Sequence, residues 1–242
     1  MIPTGLYVYG VVRDDHPCEL SRLVGVTDLA DVPRRVPVGS LAAVVGHAPP
    51  DLRATGRVLA AHRRVLAELH GQGSVLPMRF GVVVPDLATL RENLARCADR
   101  YHALLRDLSG RVELTVEVLP DEEQMLREVA RDEPVVRRLA ERDVNSYHGR
   151  LALGEAVACA LRERQHADAH QILETLAPLA VRTAVGPQTT GTVLNAGFLV
   201  ERADTEMFAG AVEALGRRMG SRVLLRCTGP QPPYSFVPDE PE

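Results

Sequence analysis

The chain has 242 residues, 45% of them apolar and 25% charged, with a formal net charge of −4. That size and balance fit one large or two medium soluble domains and leave no electrostatic footprint for nucleic acid. All 28 basic residues are arginine, so a Walker A phosphate loop, Schiff-base or pyridoxal phosphate chemistry and protein-kinase chemistry, which each need a lysine, are excluded in their usual form.

Leu6-Tyr7-Val8-Tyr9-Gly10-Val11-Val12 is rich in β-branched and aromatic residues and predicts a buried strand. Residues 13–35 are polar and interrupted by proline, with an apolar patch at Leu20, Leu23 and Val24, and are expected to form loop with one short helix. Residues 36–46 predict a second strand. Asp51 is the expected cap of a helix running to Gln72, since Val58, Leu59, Val65, Leu66 and Leu69 recur at helical spacing and Gly71 and Gly73 follow. Residues 74–84 predict a third strand. Asp86 then opens a helix whose stripe is Leu87, Leu90, Leu94, Cys97, Tyr101, Leu104 and Leu108, ended by Ser109-Gly110.

From Val112 to Val118 apolar residues alternate with Glu113, Thr115 and Glu117, the pattern of a strand with one wet face. A long helical region follows from Asp121 to about Arg164, with breaks expected at Pro134 and Gly149, and a short helix from Asp168 to Leu176. Residues 181–185 and 192–200 predict strands joined by a hairpin connection at 186–191. Asp204 is placed to cap a helix that turns Phe208, Val212, Leu215 and Met219 inward, and residues 223–227 predict the last strand. The fold class is therefore α+β with two domains, residues 1–109 and 110–242. The second half follows the split βαβ, or ferredoxin-like, order and carries a long coiled-coil-like helical insertion; the first is a variant of the same plan.

The chain ends in Gly229-Pro230-Gln231-Pro232-Pro233-Tyr234-Ser235-Phe236-Val237. Prolines cannot donate backbone hydrogen bonds, so a stiff, extended tail is expected to leave the sheet here. Tyr234 and Phe236 ride on it, in a chain with 5 Tyr, 4 Phe and no Trp. Such a segment either plugs its own domain or docks a partner. At about 3.1 Å per residue it can reach the first domain, and Tyr234 and Phe236 are expected in apolar pockets there.

No constellation of catalytic residues stands out. Cys18, Cys97, Cys159 and Cys227 are scattered without Cys-x-x-Cys spacing, which indicates neither a zinc ribbon nor a thioredoxin-like site. His166 and His170 share a helix face, but no third ligand lies nearby in sequence, so a solvated surface pair is the expectation. Neither Gly-x-Ser-x-Gly nor Gly-x-Gly-x-x-Gly occurs. No catalytic, cofactor or metal site is expected. No apolar run approaches the roughly 18 residues of a membrane helix, the opening residues lack signal-peptide features, and a reducing cytoplasm is the expected compartment. His62 sits in an apolar stripe, where a histidine is usually a satisfied core residue. Arg79 interrupts an otherwise apolar run, so its charge must be solvated, paired inside the fold, or part of a binding face.

Three segments together resemble the gas vesicle proteins F and L. His62-Arg63-Arg64-Val65-Leu66 followed by Leu76-Pro77-Met78-Arg79-Phe80-Gly81 is similar to the family's helix histidine and Leu-Pro-Met/Leu-Arg-Phe-Gly strand. Leu194-Asn195-Ala196-Gly197-Phe198-Leu199-Val200 is similar to its Leu-Asn-Ala-Ala-Tyr-Leu-Val strand, with Gly197 and Phe198 as departures. The tail resembles its Gly-Pro-x-Pro-Pro-Tyr-Ser-Phe ending. The resemblance implies a non-enzymatic, cytoplasmic accessory protein of gas vesicle assembly, associated with the vesicle. It would bind the small hydrophobic shell protein A through its N-terminal domain and keep it soluble, alongside other accessory proteins. His62, Met78, Arg79, Phe80, Tyr234 and Phe236 are the expected partner-binding or interdomain residues. A small-molecule-sensing regulatory protein built from paired ferredoxin-like domains is the alternative expectation.

Overall fold

A computed structural model describes residues 5–27, 31–49, 51–142, 146–187 and 191–238. Strand β1 (Leu6–Arg13) lies inside its sheet, with β3 on one side and the later β4 and β5 on the other. It is buried along all but its last residue, which is why it reads as a continuous apolar run. Residues 14–27 and 31–33 form turns and loop with no helix among the described residues. Leu20, Leu23 and Val26 still enter the core beneath it.

The single strand expected over 36–46 is a hairpin, β2 (Arg34–Val38) and β3 (Leu41–His47). Gly39 has φ +62°, a conformation that glycine adopts without steric penalty, and the two-residue turn sets Val38 opposite Leu41. Helix α1 (Gly56–Gln72) begins later than expected: Thr55, not Asp51, is the cap, its hydroxyl accepting the Val58 N–H. The predicted third strand survives only as two short pieces, β4 (Leu76–Pro77) and β5 (Val83–Val84), both paired with β1. Pro77 has no N–H to extend the ladder, and Gly81 at φ +98° turns the chain between the pieces. The sheet order is β2-β3-β1-β4, with β5 also on β1.

Asp86 caps α2 (Leu87–Arg96) by accepting the Thr89 N–H at 2.8 Å. The expected single helix bends at Cys97 and continues as α3 (Ala98–Asp107). Of the expected stripe, Leu90, Leu94, Cys97 and Leu108 are buried and Leu87, Tyr101 and Leu104 half-buried; beyond the bend Leu105, outside that stripe, is also buried.

Strand β6 (Arg111–Pro120) leads to α4 (Glu122–Asp132), capped by Asp121, and α5 (Pro134–Arg142), which Pro134 opens from the first helical position. The expected break at Gly149 is absent. Ser146 caps α6 (Tyr147–Leu176), a helix of 30 residues, and its hydroxyl accepts the Gly149 N–H at 2.9 Å. Glycine's penalty of about 1 kcal/mol does not end a helix that is capped and packed. The predicted helix at 168–176 is the last part of α6. Strands β7 (Arg182–Val185) and β8 (Leu194–Glu201), helix α7 (Thr205–Met219) and strand β9 (Val223–Gln231) complete the chain. Part of the predicted hairpin connection, residues 188–190, lies outside the described residues. The second sheet has the order β7-β8-β6-β9. The fold is mixed α/β with two antiparallel sheets and, among the described residues, seven α-helices.

The chain divides into two compact units, Met1–Glu113 with Pro230–Glu242, and Leu114–Gly229. In the first, α1 lays Val65, Leu66 and Leu69 on a core with Tyr7, Tyr9, Val12, Ala42 and Val44. In the second, Phe198 on β8 meets Phe208 on α7 at 5.1 Å between ring centroids, among Val116, Val118, Ile172 and Leu215. There Asp168, only 4% exposed, takes a two-nitrogen contact from Arg222, whose Nη2 lies 2.9 Å from Oδ1.

Candidate functional site

Alternation along β1 puts Tyr7 and Tyr9 on one face, the face that α1 covers. His62 reaches that face from α1, three residues before Val65, and is 3% exposed. Tyr7 Oη lies 2.8 Å from His62 Nδ1. The two tyrosine rings meet edge to face at 4.9 Å, His62 stacks on Tyr9 at 5.9 Å, and Phe80 stands perpendicular to His62 at 5.9 Å. Tyr234 packs against the same cluster. Four aromatic side chains and one imidazole thus come together from β1, α1, the 78–82 turn and the last residues of the chain.

Tyr7 Oη and His62 Nδ1 share one hydrogen across 2.8 Å, and the Gly81 backbone partly offsets the burial that raises Tyr7. The other ring nitrogen of His62, Nε2, is buried. That nitrogen makes no hydrogen bond of normal geometry; the Met78 backbone acts on it only as a weak acceptor. Burial, helped by the nearby Arg63 charge, lowers His62 from 6.5 to about 4. Burial likewise pushes Tyr7 and Tyr9 well above the usual phenol range and Tyr234 up to about 12, with the Glu113 charge adding to the last shift and Arg63 opposing it. All four groups are neutral near pH 7. The cluster is a shaped aromatic wall rather than an acid–base pair.

Glu113 departs from the wet face expected on β6, where Thr115 and Glu117 are half-exposed. It is 2% exposed. One carboxylate oxygen accepts the Ser235 backbone N–H at 2.8 Å; the other accepts the Ser235 hydroxyl at 2.8 Å and the Gln231 side-chain amide at 3.2 Å. Its carboxylate thus clamps the turn Tyr234–Phe236, while Pro232, Pro233 and Phe236 are buried.

Of the six residues expected at a site, His62, Phe80 and Tyr234 join this cluster, and Met78 touches it through its backbone. Phe236 is buried in the same unit. Arg79 is exposed between β4 and β5, outside any strand. Tyr7, Tyr9 and Glu113 were missed. The available signals were two tyrosines two apart in a buried strand, and an acid on a strand beside a chain end rich in donors.

Other candidate chemistry resolves to structure. His16 Nε2 donates to the Leu69 carbonyl at 3.1 Å, leaving Nδ1 to accept the Cys18 N–H at 3.1 Å and the thiol at 3.2 Å. Burial holds His16 below its ordinary value and pushes the Cys18 thiol up, so the pair stays neutral. His166 and His170 are exposed, and His170 lies 3.2 Å from Glu174. Among the described residues no three ligating side chains gather to hold a metal.

The family model described as gas vesicle synthesis protein GvpL/GvpF matches residues 5–238. Gas vesicle protein F of Streptomyces sp. (strain CB03234) is 39% identical over 96% of this chain and 98% of its own length. Gas vesicle protein L of the same strain is 30% identical over 96% of this chain and 92% of its own. The crystal structure of GvpF from Anabaena sp. PCC7120 superposes with a TM-score of 0.82 at 23% identity, covering 97% of this chain and 98% of that one. GvpF from Microcystis aeruginosa gives 0.79 at 20% identity, covering 97% and 99%. At these identities the two crystal structures establish the fold.

Proposed function

Because the chain belongs to the gas vesicle synthesis protein GvpL/GvpF family, we propose that it binds the small hydrophobic shell protein A and keeps it soluble until the shell polymerises. Its role in gas vesicle formation, in a family of assembly proteins rather than enzymes, follows from that membership. The carrying observation is the family match from residue 5 to residue 238. A shell that excludes water from a gas space is built of strongly apolar subunits, which need a partner before assembly. The work would take place in the cytoplasm, beside the growing vesicle.

The docking part in this proposal is the N-terminal domain, residues 1–109, with the segment Met78, Arg79 and Phe80 as its contact, Arg79 exposed and its two neighbours half-buried. His62 and Tyr234 pack in the cluster that Phe80 joins, and Phe236, buried in the same unit, is the remaining residue of the proposed set. The second unit is proposed to be ferredoxin-like, supported by its β-α-β-β-α-β order and the sheet order β7-β8-β6-β9, with α4 to α6 as the helical insertion. The test is co-expression of the full chain with the shell protein, followed by hydrogen exchange on the purified complex. The shell protein should move from pellet to supernatant, and protection should concentrate at residues 76–84. A shell protein that stays in the pellet, or protection confined to 114–229, overturns the proposal.

A further inference from the structure

A groove of about 200 Å³ runs between α1 and residues 24–26. Val24, Val26, Val58 and Ala61 give it an apolar lining, and Arg57 and Arg64 stand at its margin. One wall is held in place: the Val26 N–H donates to the buried Tyr9 hydroxyl at 2.8 Å. The loop's Gly25 lies so close to Asp31 that an added Cβ would sit 2.4 Å from the carboxylate. The groove is therefore built before any partner arrives, which reduces the ordering cost of docking.

Charge identifies the partner. Arg57 and Arg64 are exposed, and neither makes an ion pair with another described residue. Helix α1 carries Arg57, Arg63 and Arg64 against one acid, Glu68, in a chain whose net charge is −4. Seven residues are two helical turns, about 10 Å along the axis, and the small side chains Ala60 and Ala61 leave the space between the two guanidinium groups open. Guanidinium forks take carboxylates in a two-bond geometry. We propose that this groove docks an acidic, amphipathic peptide segment of another protein: an apolar side chain enters between α1 and the 24–26 wall, and carboxylates on either side of it meet Arg57 and Arg64. The inference goes beyond the holding role and stands or falls on peptide chemistry, whatever the cellular partner is.

The experiment is fluorescence anisotropy of the full chain with a synthetic helical peptide carrying two glutamates seven residues apart and leucines between them. Binding should weaken as salt rises, because the pairs are exposed. Replacing both glutamates by glutamine in the peptide, or Arg57→Ala with Arg64→Ala in the protein, should each weaken it roughly tenfold. Ala61→Leu should fill the groove and weaken binding with the salt dependence intact. A glutamine peptide that binds as tightly as the acidic one overturns the proposal, and needs no protein variant to fold. So does an unaffected double arginine variant, or equal affinity for a DNA oligonucleotide or for phosphatidylserine vesicles, which would mark a general polyanion face. A shell protein left in the pellet beside normal peptide binding would refute the holding role and leave this surface standing.

Discussion

Replacing Glu113 by alanine isolates the contact that secures the end of the chain. The carboxylate takes three donors, the Ser235 N–H and hydroxyl at 2.8 Å and the Gln231 amide at 3.2 Å. Hydrogen bonds to a charged acceptor contribute about 1.5–3 kcal/mol each, but several kcal/mol of desolvation oppose a carboxylate that is 2% exposed. Ser235 is itself exposed, so water can replace part of what its hydroxyl loses. The net expectation is a loss of about 2–4 kcal/mol for Glu113→Ala and about 1 kcal/mol for Ser235→Ala. Because the two residues share a bond, the double variant should lose about 1 kcal/mol less than the sum. Urea unfolding gives the global figure, and hydrogen exchange at residues 230–238 gives the local one. The Glu113→Ala chain should lose protection there before it does in α7. A stability loss under about 0.5 kcal/mol with unchanged exchange at 230–238 would refute the clamp.

The pH dependence of stability should carry the signature of His62. Its folded value of about 4 lies below the ordinary 6.5, so the unfolded state binds the proton first. About 3 kcal/mol of stability present above pH 6.5 should fade as pH falls to 4, and His62→Gln should flatten that window in pH-dependent urea titrations. Asp168→Ala should cost about 3–5 kcal/mol in thermal unfolding, since it strands the Arg222 guanidinium beside the core of the second unit. Arg79→Ala, at an exposed turn, should change stability by less than about 0.5 kcal/mol while reducing shell-protein capture on affinity resin. A melting temperature that falls by several degrees would show that Arg79 supports the fold instead.

Local rules carried the parts of the chain that report on themselves. The apolar run at Leu6–Val12, the helix starts at Asp86 and Asp121, and the stripe of Phe208, Val212, Leu215 and Met219 are each written within a few residues, and each appears where its pattern placed it. Breaks were less legible. Gly39 looked like one glycine in a strand until pairing made it a turn, while Gly149 looked like a stop and is absorbed into a capped helix. The candidate site was legible only in pieces, as a histidine in a stripe, an arginine in an apolar run and an aromatic chain end. Their assembly depends on contacts across the sequence, 55 residues from Tyr7 to His62 and 122 from Glu113 to Ser235. Periodicity tells which face of a strand or helix is apolar, but not what returns from elsewhere to cover the other face. Glu113 shows the difference: alternation marks it as a solvent-facing residue, and the folded chain end converts the same carboxylate into a buried clamp. Burial of a polar group is a property of its neighbours, and for this residue the neighbours are supplied by the tertiary structure.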